Sequence, residues 1–306
     1  MSMLTLKQKY LSGKISKQDY IREMHDEHKK LFCYKKLLEN NDVINIQISK
    51  ESVIFTMKGG LKLYVDEEDR RFIPIEILNF GAFDPTERRL LFSLAEQSNV
   101  VFDIGANIGW YTLNFANANP SVSVHSFEPI PFTFQYLEKH LELNEVNNVT
   151  INNFALSNEK GEAQFYWGRD ETGSSSMENI QERDNANIVT CQLSTIDDYC
   201  EENRLNIDFI KCDVEGAELQ VFQGASTILK RDKPAVFAEM LRKWSAKFGY
   251  HPNEIIDIFT ANGYRCFAYE SSEFKEFFEI TDTTEATNFF FLHTDKHADV
   301  INNECI

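Results

Sequence analysis

The stretch VVFDIGANIGWYTLNF, Val100–Phe115, runs from an apolar strand through a glycine turn into a helix. In a dinucleotide-binding fold this turn reads GxGxxG, with its first two glycines two apart so that the backbone presses against a pyrophosphate. Here Gly105 and Gly109 stand four apart, and Asp103 precedes the first. The spelling fits a nucleotide-like ligand and leaves no obvious seat for a pyrophosphate.

Downstream of Thr86 the same alternation repeats. Strands are expected at Val100–Ile104, Val122–Glu128, Val149–Asn153, Ile207–Asp213, Ala235–Glu239, Tyr264–Tyr269 and Phe289–His293. Helical stretches lie between them at Phe132–Asn144, Ala217–Leu229 and Asn253–Asn262. Such alternation builds an α/β domain with a mostly parallel sheet covered on both faces. Residues 1–85 read differently. Ser16 and Asp19 mark a helix start, and apolar residues then recur at helical spacing as far as Asn40. VINIQI, SVIFTMK and LKLYV follow, with Gly59-Gly60 as a hairpin turn. The division is therefore an extension of helix and β-meander, 1–85, ahead of a main domain, 86–306.

Composition narrows the function. A net charge of −17 disfavours nucleic acid as a partner, because binding phosphates requires cations. The charge is uneven. Residues 1–40 hold nine Lys/Arg against five Asp/Glu, so the N-terminal helix is a solvated basic face or a docking element for an acidic partner. No run approaches a membrane span and the first residues lack a signal peptide's apolar block, so a cytoplasmic location is expected. Cys33, Cys191, Cys200, Cys212, Cys266 and Cys305 form no CxxC pair and read as reduced thiols. His25 and His28, in HDEH, are three apart and lack the HExxH spacing of a zinc helix.

In open α/β sheets ligands bind beyond the carboxyl ends of the strands. Four expected strand ends carry acids: Asp103, Glu128, Asp213 and Glu239. Glu128 is placed to accept from both hydroxyls of a ribose, and Asp103 to orient an ammonium group or the loop amides. The N–H groups of Ala106 to Gly109, at a helix N-terminus, suit a small carboxylate. Ribose, ammonium and carboxylate together describe S-adenosylmethionine.

DIGANIG, SFEPIP, NNFALSNEKGEAQF and IDFIKCDVEGAE, in that order and spacing, resemble the successive motifs of FkbM-type methyltransferases over about residues 85–295. The resemblance implies a Rossmann-like class I methyltransferase fold, a seven-stranded sheet whose last strand is antiparallel, bound S-adenosylmethionine, and O-methylation. By position it implies a cofactor site of Asp103, Gly105, Ala106, Asn107, Gly109, Glu128, Pro129 and the Phe154-Ala155 turn, to which the Ser174–Ser176 loop adds Ser175. It does not reach the first 85 residues. No (D/N)PP(Y/F) follows the fourth strand, which disfavours a nucleobase amine as acceptor, and no P-loop is present.

A hydroxyl acceptor must lose a proton as the methyl arrives, so a base or a metal is needed. Asp213 is the leading base. With Glu215 and Glu239 it forms an oxygen set of the kind Mg²⁺ takes. His251, after the fifth strand, is a second candidate base. Trp244 is a candidate platform for a sugar face. The expected acceptor is a hydroxyl-bearing small molecule or glycan. The alternatives are a carrier-protein-bound polyketide or peptide intermediate, or a non-catalytic nucleotide-binding role.

Overall fold

The structure, a computed structural model, describes residues 2–271 and 273–304. Ser16 starts a helix as its sequence implies: its Oγ accepts from Asp19 N at 3.1 Å. The helix is not continuous to Asn40. A first helix, α1 (Met3–Leu11), precedes it, and the run from Ser16 divides into α2 (Lys17–His28) and α3 (Lys30–Leu37). An i→i+3 bond from Phe32 N to Lys29 O tightens the chain at the joint.

The meander follows as β1 (Val43–Ile48), β2 (Val53–Met57) and β3 (Lys62–Tyr64), joined antiparallel in that order. Gly59 and Gly60, at φ +89° and +93°, make the β2–β3 turn that side chains would strain. Two helices, α4 (Ile73–Phe80) and α5 (Arg88–Glu96), lead into the main domain. Val43, Phe55 and Leu63 share one apolar cluster with Leu91, Leu113 and Phe115, so the extension is built into the main core.

The main domain runs β4 (Val100–Ile104), α6 (Trp110–Ala118), β5 (Ser123–Phe127), α7 (Pro131–Leu143), β6 (Val149–Asn152), β7 (Ala155–Leu156), β8 (Gly161–Gly168), β9 (Glu171–Ser176), β10 (Asn187–Ser194), α8 (Ile196–Asn203), β11 (Phe209–Cys212), α9 (Glu218–Gln223), α10 (Ser226–Arg231), β12 (Ala235–Glu239), α11 (Arg242–Ser245), α12 (Asn253–Ala261), β13 (Tyr264–Glu270), β14 (Glu273–Phe277), β15 (Asn288–His293) and α13 (Ala298–Glu304). The central sheet has the order β14-β13-β15-β12-β11-β4-β5-β6. From β12 to β6 every pairing is parallel, and β15 is antiparallel to both of its neighbours. Strand order reverses between β4 and β11, which opens the crevice at their carboxyl ends. This is the Rossmann-like α/β class the sequence implies.

Three details depart from expectation. The sheet has eight strands, because Glu273–Phe277 returns as an edge hairpin on β13. A second sheet, in the order β7-β10-β8-β9, fills a stretch for which no strands are expected and in which Ser174–Ser176 is expected as a loop. Its two long strands alternate onto one apolar cluster, through Ala163, Phe165 and Trp167 and through Val189, Cys191 and Leu193, and only ETGSSS lacks that period-2 signal. The expected helix Ala217–Leu229 is two short helices, because Gly224 packs where any Cβ would lie 2.1 Å from Ser157 O.

The second sheet is tied to the extension. Arg169 holds Asp66 through both guanidinium nitrogens, at 2.6 and 2.8 Å. Thr172 N donates to Asp69 Oδ2 at 3.0 Å, and Arg71 pairs with Glu171 at 3.2 Å. Arg70 pairs with Asp170. Segment 66–71 and the β8–β9 hairpin thus form one ion-paired strap.

A single imidazole joins the meander to the glycine turn. His140 Nδ1–H donates to Ile108 O at 2.8 Å, and its Nε2 accepts from Tyr64 N at 2.9 Å. Burial lowers its pKa from 6.5 to about 4. Between these values the unfolded chain binds the proton and the folded chain does not, so this stabilisation is full above pH 6.5 and is lost as pH falls. Urea unfolding is expected to show about 2 kcal/mol less stability at pH 5 than at pH 7 from this residue. A His140→Gln variant should lack that component; an identical pH slope in both proteins refutes it.

Candidate functional site

Both glycines of the opening turn are dictated by packing. Gly105 has φ +75°, and an added Cβ would lie 1.8 Å from Asp213 O. Gly109 has φ +91°, and its Cβ would lie 2.5 Å from Leu137 Cδ1. The turn therefore presses against β11 on one side and α7 on the other. Its N–H groups are already used. Those of Gly105 and Ala106 donate to Phe127 O, Asn107 N donates to Glu128 Oε2 at 2.7 Å, and Ile108 N donates to Asn107 Oδ1 at 2.7 Å. Gly109 N bonds Ala106 O. The expected row of open amides for a carboxylate is not there, because Glu128 and the Asn107 side chain saturate it.

Two compartments meet at this turn. The first, about 640 Å³, has apolar walls from Ile130, Leu156, Phe165 and Met177, with Glu128 among them. The second, about 940 Å³, is walled by the extension (Arg71, Phe72, Phe83 and Asp84) and by Trp110, Tyr111 and Glu239. Gly105, Asn107, Thr172, Gly173 and Asp213 line both. Asp213 thus stands on the boundary.

Glu128 is buried, with Oε1 accepting from Ile130 N at 2.9 Å and from Thr133 Oγ1 at 2.7 Å. Burial pushes its carboxyl pKa up, against the pull of those donors. Pro129, Ala155 and Ser175 line the first compartment and Ala106 the second. Three expected cofactor contacts lie elsewhere. Phe154 packs edge-on against Phe127, and Gly109 sits under α7. Asp103 is fully buried, its Oδ2 accepting from Thr112 Oγ1 at 2.6 Å and its Oδ1 facing Lys211 Nζ at 3.4 Å. None of the three lines either compartment.

Lys211 is the residue that sequence reasoning passed over. Its Nζ donates to Gly105 O at 2.9 Å and lies 3.7 Å from Asp213 Oδ2. Burial alone would lower its pKa, but Asp103 and Asp213 prevail and hold it above the ordinary value. The available signal was a lysine inside the otherwise apolar run FIKC. Tyr111 and Asp84, hydrogen-bonded across the second compartment, were equally unread as a pair. Burial raises the pKa of both groups.

Asp213, Glu215 and Glu239 do come together, each offering a carboxylate oxygen within 4.8 Å of the others. Burial first and Asp213 second push the Glu215 and Glu239 pKa values well up. The neighbouring Glu218, raised to about 7 mainly by burial, caps the turn through Val214 N and Gly216 N. His251 does not join them. It is exposed at the start of α12, its Nδ1 accepting from Asn253 N at 3.2 Å, and it lines neither compartment. Its backbone N–H is held by Glu254 Oε1 at 3.1 Å, at the entry to the helix. Trp244 is buried under a Lys243 ammonium 3.9 Å from its ring and is likewise absent from the walls.

Cys33, Cys191, Cys200, Cys212 and Cys266 are free thiols, and Cys305 lies outside the described residues. Among the described residues no helix is long and apolar enough to cross a membrane.

The profile of the Methyltransferase FkbM domain matches residues 103–266. Methyltransferase 1 of Beauveria bassiana is 25% identical over 142 residues, 40% of this chain and 57% of its own length. Hexuronic acid methyltransferase AglP of Haloferax volcanii is 27% identical over 143 residues, 46% of this chain and 56% of its own. The tRNA (guanine(37)-N(1))-methyltransferase Trm5b of Pyrococcus abyssi is 30% identical over 106 residues, 34% of this chain and 29% of its own. The aligned part is thus well under two thirds of each of these relatives.

Proposed function

The chain belongs to the FkbM methyltransferase family, and on that premise we propose that it moves the methyl group of S-adenosylmethionine to a hydroxyl of a sugar, a glycan or another small natural product. The observation that carries this reading is the pair of compartments meeting at Asp213.

The residues of the first compartment fit the cofactor. Ile130, Leu156, Phe165 and Met177 offer apolar surface to an adenine, and Glu128 offers a buried carboxylate to a ribose. When bound, S-adenosylmethionine supplies an electrophilic methyl group on a sulfonium. The Asp213 carboxylate on the shared wall favours that positive charge. Residues 1–85 contribute one wall of the acceptor half of the cleft, and the main domain the rest. Asp84, Glu171 and Glu239 can accept from hydroxyls, and Phe72, Phe83 and Trp110 offer faces to an apolar sugar surface. Asp213 takes the acceptor's proton as its oxygen becomes the nucleophile. The name of the Haloferax relative agrees with a sugar acceptor. A phosphate-rich acceptor, as the Pyrococcus relative's name implies for that protein, is disfavoured by the net charge of −17 and by the acids of this compartment.

Asp213, Glu215 and Glu239 are also the oxygen set that Mg²⁺ would take. Chelation separates the roles. Turnover that survives EDTA leaves Asp213 to act as the base without a metal; turnover lost to EDTA and restored by Mg²⁺ assigns the three acids to the metal.

The reading is tested by calorimetry with S-adenosylmethionine, followed by transfer of labelled methyl to hexoses, hexuronic acids, glycans and tRNA. Absence of cofactor binding overturns it, and methylation of tRNA alone overturns the acceptor class. Glu128→Gln keeps the shape and removes the charge that holds Asn107 N, Ile130 N and Thr133 Oγ1. Its cofactor affinity is expected to fall about tenfold, the worth of one charge-assisted bond. Unchanged affinity in the folded variant would count against the ribose assignment.

A further inference from the structure

We propose that the N-terminal helical arm, residues 2–37, docks into an apolar groove beside β1 of a second copy of this chain, with the reciprocal contact formed at the same time.

The arm is exposed in a way a lone short helix does not sustain. Every residue of α3 is exposed, on all sides of the helix. Leu31, Phe32 and Leu37 are 57%, 71% and 50% exposed. A helix of eight residues has too few internal bonds to hold itself in water and depends on burying an apolar face. Within the chain α1 and α2 mainly contact each other, with Tyr10 stacked on Tyr20 at 4.7 Å, and α2 has no buried residue.

The groove is the matching half. Leu31, Tyr34 and Leu38 form one wall, and Ile46, Ile48 and Phe55 form the other. Because α3 is itself a wall, it does not also fill the space. Ile48 is 66% exposed on β1, which is an edge strand with an unpaired side.

Charge selects the occupant. The arm carries nine of the basic residues against five acids within residues 1–40, while the remainder of the chain holds 22 Lys/Arg against 43 Asp/Glu. Glu67 and Lys35 both line the groove and Asp66 is already paired with Arg169, so the attraction comes from the acidic body rather than from the rim. One chain therefore presents both a cationic apolar arm and an apolar groove on an acidic body. A two-fold pairing satisfies both halves at once. A stable interface takes roughly 20–30 residues a side, which the arm can supply.

Sedimentation velocity on the full chain at tens of micromolar is expected to give twice the 35.5 kDa chain mass. A monomer at that concentration overturns the proposal and leaves the arm to a different, acidic protein. Phe32→Asp removes the arm's anchor and Ile48→Asp spoils the groove. Both side chains are exposed in the single chain, so each variant should keep the parent's circular dichroism spectrum. Each should self-associate at least about tenfold more weakly. Mixing the two variants should restore dimers, since an intact arm then meets an intact groove. Persistence of the Ile48→Asp dimer, or no recovery on mixing, overturns the arm-to-groove contact.

Discussion

Asp213→Asn is expected to lower methyl-transfer turnover by about 10²-fold or more, the range lost with a general base, while cofactor affinity changes far less. Asparagine keeps the shape and the capacity to hydrogen-bond, and removes only the charge that receives the acceptor's proton. The position explains the size of the effect. Asp213 follows β11 at the point where strand order reverses, and it is the carboxylate that lines both compartments and also belongs to the acidic trio. Lys211 stays neutralised by Asp103, 3.4 Å away, so the fold should tolerate the change. Single-turnover rates and calorimetric affinities on the same preparation decide the matter. A joint loss of stability and cofactor binding makes Asp213 a structural residue of the Glu215–Gly216 turn. Near-normal turnover makes it a bystander.

Gly105→Val should do more than empty the cofactor site. A purely ligand-facing glycine would give a folded protein that fails to bind. Here φ is +75° and the added Cβ meets a backbone carbonyl, Asp213 O, at 1.8 Å, so neither partner can swing aside as a side chain would. The strain and overpacking are expected to cost at least about 3 kcal/mol of stability, with cofactor binding lost as the turn moves off β11. Gly105→Ala carries the same Cβ and should show the same sign. Urea midpoints and cofactor titration measure both effects; a Gly105→Ala protein with wild-type values for each would mean that the turn is packed differently.

The sequence made the central sheet legible because its strands are buried on both faces. VVFDI, VFAEM and FIKC are short apolar runs ending in or leading to acids, which is how parallel strands at a ligand crevice read. The inserted sheet carries a legible half as well: Ala163, Phe165 and Trp167 and Val189, Cys191 and Leu193 alternate onto one apolar cluster, which marks two half-buried strands. ETGSSS, with no large apolar residue, carries no periodicity, so β9 and the order of the sheet are not readable locally. Asp213, Glu215 and Glu239 could be grouped from strand ends alone. Asp103 shows where that logic stops: it stands one residue inside β4, and the extra step turns its carboxylate beneath the turn toward Lys211. His251 failed because being in a loop on the ligand side does not fix where a side chain points. Nothing local in residues 66–84 announces a wall of the second compartment, since its partners, Glu171 and Tyr111, are distant in the chain.

The ion-paired strap between segment 66–71 and the β8–β9 hairpin has a kinetic meaning. Thr172 and Gly173 border both compartments, so the hairpin that shelters the cofactor side shelters the acceptor side too. Lifting it breaks the Asp66–Arg169 fork, the Arg70–Asp170 and Arg71–Glu171 pairs and the Asp69–Thr172 bond together. On the reading proposed above, exchange of either ligand across that wall would be gated by one opening event rather than by two independent encounters. Spent cofactor and methylated product would then leave through the same event, and the residence time of one would set a floor for the other.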